Sequence, residues 1–331
     1  MIEKPIFILG SHKSGSSLLR SMLDSHRELF VIPTEIHYFQ YTGHWVDYRL
    51  RYASPKQMNR QSLIESLTKL IEKKNNHVDP YADSMIKGKF NIPIFKEFIE
   101  NSCFESNREL FESYVKAIHL SLTGEHLAKN LHFVEKSVEN AEFAVFLRQM
   151  FPDCRFIHIV RNPYASLVAI RRSKTKRKYP LMRDLIFSLQ NSYYNLYKNQ
   201  KLLENYLIVK YEDLLLHTKK TMREITNFLQ IEFEDLLLTP TLMGKPWGGN
   251  SSNNGSFTKV SSTPLNKWKQ QINDLEIQLV NIFLKPVLKD YEYEQLTSKK
   301  SKIFPISDEG FKTYFKNRSL LWLKPVQSNS P

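Results

Sequence analysis

The chain has 331 residues, 41% of them hydrophobic and 12% aromatic, which is enough to bury a substantial core in one large or two small domains. Its formal net charge of +13 points to an anionic partner, a role that nucleic acid, a membrane surface or a polyanionic small molecule would each satisfy. Cys103 and Cys154 lie far apart without metal-type spacing, so neither a disulfide framework nor a zinc site has support. No apolar run reaches the roughly 18 residues needed to cross a bilayer. The first core strand begins within a few residues of Met1, leaving no room for a secretory leader, so the expectation is a cytoplasmic protein.

In chain order, Ile6–Leu9 is a continuous apolar run suited to a strand buried on both faces, and Gly10 stops it. Leu18, Leu19, Met22 and Leu23 then repeat at the spacing of one helical face, with Ser16 or Ser17 where a cap belongs. The loop between them, Ser11-His12-Lys13-Ser14-Gly15, places a lysine and hydroxyls at a helix start whose free N–H groups favour an anion. The glycine spacing matches the nucleotide-hydrolase loop G-x-x-x-x-G-K-[ST], but the lysine is Lys13, and Ser16 stands where that loop has its lysine.

Leu29–Ile32 reads as a second strand ended by Pro33, with Glu35 and His37 just beyond it. Residues 45–128 show helical stripes, such as Leu63, Leu67, Leu70 and Ile71 and then Leu110, Phe111, Tyr114, Val115 and Ile118. This reads as a helical insertion and a candidate acceptor-facing lobe. Further strands end in Glu135-Lys136-Ser137, in Arg161-Asn162-Pro163 and in Lys210-Tyr211-Glu212. Long helices are expected over 185–203 and over about 272–289. The polar stretch from Gly244 to Ser262, with Asn250, Ser251 and Lys259, reads as a lid. The basic run from Arg171 to Lys178 is a candidate rim for an anion channel.

Six segments together resemble sulfotransferases that use 3′-phosphoadenosine-5′-phosphosulfate (PAPS). Lys13-Ser14-Gly15-Ser16-Ser17 resembles their 5′-phosphosulfate loop, and Thr34-Glu35-Ile36-His37-Tyr38-Phe39 resembles the stretch that carries the general base of carbohydrate sulfotransferases. Glu135-Lys136-Ser137 is similar to a Lys-(Thr/Ser/Asp)-Pro segment, with Val138 in place of proline. Phe151-Pro152 through Arg161-Asn162-Pro163 resembles the 3′-phosphate segment, and Tyr211-Glu212-Asp213-Leu214 the segment whose tyrosine lies near the nucleotide. Leu265-Asn266-Lys267-Trp268 resembles the late segment that follows the family's lid. One position departs: Ala169 stands where a serine usually assists Arg161, and Ser166 is the nearest hydroxyl.

The resemblance implies an α/β, P-loop-like three-layer fold with a central parallel sheet flanked by helices, in one domain over 1–298 with a tail over 299–331. It implies transfer of a sulfuryl group from PAPS to a hydroxyl or amine of a small-molecule, carbohydrate or peptide acceptor, releasing PAP, without a metal and without nucleic acid. Glu35, Lys13, Lys136 and His37 would be catalytic, and Lys13, Ser14, Gly15, Ser16, Ser17, Arg161, Ser166, Tyr211, Asn250, Ser251 and Lys259 would hold the donor. Two other classes remain open on the residues alone. A small-molecule kinase would share the fold, although it calls for a lysine after Gly15 and a strand-end magnesium carboxylate. A nucleic-acid binder would explain the charge, although it calls for basic and aromatic residues interleaved on one face.

Overall fold

The computed structural model describes residues 2–44, 55–77, 84–175, 182–249 and 260–298. Its centre is a five-stranded sheet formed by Ile6–Gly10 (β1), Leu29–Val31 (β2), His132–Glu135 (β3), Arg155–Val160 (β4) and Tyr206–Lys210 (β5). The strand order is β2-β3-β1-β4-β5, and every pairing is parallel. β1 and β4 are buried along their whole length, as apolar runs covered on both faces should be.

The crossovers are helices, as parallel neighbours require. Ser16–Leu23 (α1) follows β1, Asn140–Met150 (α6) links β3 to β4, and Pro163–Thr175 (α7) with Met182–Leu202 (α8) lies between β4 and β5. The chain leaves β1 toward β2 and leaves β4 toward β5, so the strand order reverses between β1 and β4. In open parallel sheets the carboxyl edge at such a reversal is where ligands bind. The edge is also stepped. Glu135 ends β3 level with Phe7, whereas β1 runs three residues further, to Gly10.

Between β2 and β3 stand the short helix Tyr38–Tyr41 (α2) and the helices Arg60–Asn75 (α3), Ile92–Asn101 (α4) and Asn107–Thr123 (α5). The insertion expected over 45–128 is therefore helical in its described parts. It is also built into the core. Phe111 of α5 meets Phe7 of β1 at 6.1 Å edge-on, and Phe133 of β3 at 5.8 Å stacked. Residues of this kind stabilise by about 1.5–3 kcal/mol each on burial, so α5 is part of the sheet's support. Its start is fixed by a capping box between Ser106 and Glu109 and its end by left-handed Gly124.

Three expectations need correction. The helix expected over 272–289 is two, Asp274–Phe283 (α11) and Lys285–Asp290 (α12), because Pro286 cannot donate within a continuous helix. Before them come Tyr211–Leu216 (α9) and Thr218–Leu229 (α10). The polar stretch after Gly244 opens not as an irregular loop but in an antiparallel hairpin, Thr241–Leu242 (β6) with Lys245–Pro246 (β7). Asp24 anchors it by accepting from Thr241 Oγ1 at 2.8 Å and from Gly244 N at 2.9 Å. Finally, α1 is capped by Gly15 in a left-handed conformation, and Ser16 is already the first helical residue.

Candidate active site

The β1–α1 loop takes its shape from two backbone positions that side chains resist. Gly15 has φ 103°, and a Cβ there would lie 2.2 Å from Cδ2 of Tyr211, so the tyrosine ring rests directly on the loop. Lys13 itself has φ 62°, a conformation that costs a non-glycine residue of order 1–3 kcal/mol and is held by its surroundings. One of those holds is visible: Arg161, just past β4, donates from Nη1 to the Lys13 carbonyl at 2.6 Å. The same guanidinium stacks over the Tyr211 ring, 4.5 Å from its centroid. Strand ends β1, β4 and β5 are thereby locked together at the sheet's reversal.

The loop's hydrogen bonds decide which groups can meet an anion. Ser14 N donates to Ser11 O at 3.1 Å, and Leu18 N and Leu19 N turn back to Gly15 O. Ser14 N is thereby engaged within the loop, and Gly15 and Ser16 stand at the start of α1. Ser14 Oγ and Arg161 Nε are both buried and make no hydrogen bond among the described residues. Buried polar atoms are rarely left so, and these two belong to the β1–α1 loop and to the arginine that braces it. Ser166 is also fully buried, one layer back beside Tyr193, whose hydroxyl donates to the Arg161 carbonyl at 2.8 Å.

On the other side of β1 the site is made of charge. Lys136, 5% exposed at the end of β3, forms an ion pair through Nζ with Glu35 Oε1. Glu35 Oε2 lies 3.3 Å from His37 Nε2, and His37 Nδ1 lies 2.8 Å from Glu139 Oε1. Burial pushes the Glu35 carboxyl upward, but the Lys136 ammonium, His37 and His12 outweigh it and hold it well below the usual carboxylate range. His37 is pushed down by burial and raised more by Glu139 and Glu35, so it sits above the usual imidazole range. Behind them Glu135, wholly buried, is pushed up to about 7 by burial, although it accepts from Ser137 N, Ser137 Oγ and Asn140 Nδ2.

The sheet edge thus gathers Lys13, Glu35, His37, Lys136, Arg161 and Tyr211 from five separate segments. Two further residues were passed over in the sequence. His12 stands on the loop near the Lys174 and Lys136 ammoniums, and its surroundings and those charges lower it from the usual imidazole range. Its signal was only its place beside Lys13. Glu139 had no signal beyond standing three residues after Lys136. The basic run needs a correction as well: Arg171 is buried and binds Glu276 at 2.6 Å and the Gln271 carbonyl at 2.7 Å, so it joins α7 to α11 rather than lining a channel. Trp268 stacks on Tyr164, with centroids 5.8 Å apart. Asn250, Ser251 and Lys259 lie outside the described residues. Among the described residues no cluster of three or more His, Cys, Asp or Glu side chains is arranged to hold a metal ion.

Comparison with known proteins now adds to this geometry. The sulfotransferase domain from the curacin biosynthetic pathway is 21% identical, covers 89% of this chain and 99% of its own, and superposes with a TM-score of 0.57. The sulfotransferase domain from the Synechococcus PCC 7002 olefin synthase is 19% identical, with 85% and 96% covered and a TM-score of 0.50. At these identities the likeness is one of fold. No curated protein gave a match to the sequence. The model of the sulfotransferase family matches residues 5–235, well over half of the length, and the chain therefore belongs to the sulfotransferase family.

Proposed function

We propose that this sulfotransferase takes its sulfuryl group from PAPS and passes it to a hydroxyl or amine, with Glu35 accepting the acceptor's proton. The observation that carries the reading is the pairing of two unlike half-sites across β1. On one side is the β1–α1 loop, with Ser14 Oγ and Arg161 Nε buried and without a hydrogen-bond partner among the described residues. On the other is a carboxylate held by a buried lysine.

In this reading Lys13 and the N–H groups at the start of α1 face the 5′-phosphosulfate, and Arg161 faces the 3′-phosphate with a fork suited to two oxygens. Tyr211, pinned between Gly15 and Arg161, supports the nucleotide. The acceptor oxygen or nitrogen bonds to sulfur as the bridging sulfur–oxygen bond to phosphate breaks. The electron pair departs on that phosphate oxygen, whose growing charge Lys13 and the helix start stabilise. The acceptor's proton goes to Glu35. The cations that keep Glu35 ionised also weaken it as a base, so the proton moves only as the new bond acidifies the acceptor. Lys136 holds Glu35 in place and adds positive charge beside the sulfuryl oxygens.

Calorimetry with PAPS and with ATP, each with and without magnesium, tests the donor. PAPS binding that is tighter than ATP and indifferent to magnesium is expected. Preference for magnesium-ATP would instead point to phosphoryl transfer.

A further inference from the structure

His37 stands between two carboxylates, 3.3 Å from Glu35 Oε2 through Nε2 and 2.8 Å from Glu139 Oε1 through Nδ1. An ionised carboxylate only accepts hydrogen bonds, and a neutral imidazole has one proton to give. With that proton on Nδ1, the Nε2 lone pair faces the lone pairs of Glu35. With it on Nε2, the clash moves to Glu139, whose side chain is only 5% exposed and lacks water to relieve it. Only the imidazolium satisfies both contacts.

The backbone fixes the ring in this place. His37 adopts a left-handed conformation, φ 42° and ψ 39°, as the residue that caps α2. Its N–H donates to Ser137 Oγ at 3.1 Å, and Ser137 is itself bonded to Glu135 at 2.5 Å. Glu139 stands at the start of α6, where negative charge is favoured. Resting on the reading of Glu35 as the proton acceptor, we propose that Glu139 is a positioning residue. It keeps His37 doubly protonated and aimed at Glu35, so that Glu35 meets the acceptor with one oxygen anchored by His37 and the other by Lys136.

The pair then sets the alkaline edge of activity. Around His37 the titratable groups are Glu35 on the loop after β2, Glu139 at the start of α6, Glu135 at the end of β3 and Lys74 on α3, while Lys136 and His12 act on Glu35. The carboxylates favour the imidazolium, and Lys74 opposes it. When rising pH removes the Nε2 proton, lone pairs face each other across the gap and Glu35 loses an anchor.

The test is nitrogen-15 NMR of the full chain with labelled histidine, in which the His37 signals are identified by their loss in His37→Asn. Asparagine tolerates the left-handed backbone. Both ring nitrogens of His37 are expected to carry protons at pH 7 and to titrate above the ordinary histidine range. Glu139→Gln should move that titration to lower pH by at least about one pH unit, and Glu139→Asp should leave it closer to wild type. PAP, a probe of the donor side alone, should bind wild type and both Glu139 variants alike in calorimetry. A singly protonated His37 in the wild type at pH 7 overturns the proposal even where Glu139→Gln fails to fold, and so does a titration that Glu139→Gln leaves in place. These readouts need no turnover. An active Glu35→Gln enzyme would remove the underlying reading of the base and would be seen separately, in transfer assays.

Discussion

In the proposed function the two sides of β1 solve different problems with different materials. The donor side, around Lys13 and Gly15, is built from backbone: a left-handed lysine, a glycine that admits the Tyr211 ring, and a helix start. The acceptor side is built from side-chain charge, a chain of Lys136, Glu35, His37 and Glu139 with little backbone specialisation except at His37. A cradle for a bound anion can be rigid and uniform, because its ligand arrives already charged. A group that must take a proton needs its own charge tuned, and tuning requires several ionisable neighbours in low dielectric.

If the division is real, variants on the two sides must fail differently. The largest effect is expected from Glu35→Gln, which should lower kcat by about two to four orders of magnitude, the range of a lost general base, with PAP affinity unchanged by calorimetry. In the wild type the acid limb of kcat/KM should lie below the ordinary carboxylate range, because Lys136 and His37 outweigh burial at Glu35. Lys13→Ala should cost about two to three orders of magnitude in turnover, the scale of one lost donor to a departing charge. Arg161→Ala should weaken PAPS by about tenfold to a hundredfold while weakening adenosine 5′-phosphosulfate less, since a hydrogen bond to a charged group contributes about 1.5–3 kcal/mol. Equal weakening would make Arg161 a structural brace for Lys13.

Gly15→Ala should reduce stability by about 1–3 kcal/mol in urea unfolding and displace Tyr211, because φ 103° and a 2.2 Å contact leave no place for a methyl group. The smallest effect is expected behind the acceptor side. The folded pKa of Glu135, about 7, lies above that of an exposed carboxyl, so its contribution to stability is complete in acid and is lost as pH rises through about 7. As pH rises from about 4.5 to about 7 the Tm of the wild type should therefore fall relative to that of Glu135→Gln, and the difference should level off above that. A constant difference would show that Glu135 is already ionised.

The same contrast explains what the sequence made legible. The donor side is local, since strand, glycine-bounded loop and helix occupy one stretch of chain, and its pattern survives without neighbours. So does the sheet, because buried parallel strands read as apolar runs. The acceptor side joins residues about a hundred positions apart, such as Glu35 and Lys136. Each was visible as a strand-end group, but their ion pair and the role of Glu139 depend on β2 and β3 lying side by side. Arg171 is hidden for the opposite reason: within a basic run nothing local marks a buried arginine, and Glu276, 105 residues away, is what distinguishes it. The break at Pro286 was local, and the apolar stripe running through it hid it.

In the proposed function, donor binding and proton removal belong to separate groups on opposite sides of β1. The most direct test is the calorimetric affinity for PAP of the wild type, Arg161→Ala and Glu35→Gln, measured on samples whose sulfuryl-transfer rates are also known. Glu35→Gln is expected to bind PAP as the wild type does while transferring almost nothing, and Arg161→Ala to bind PAP about tenfold to a hundredfold more weakly. A Glu35→Gln protein that loses PAP affinity as severely as Arg161→Ala would contradict this division.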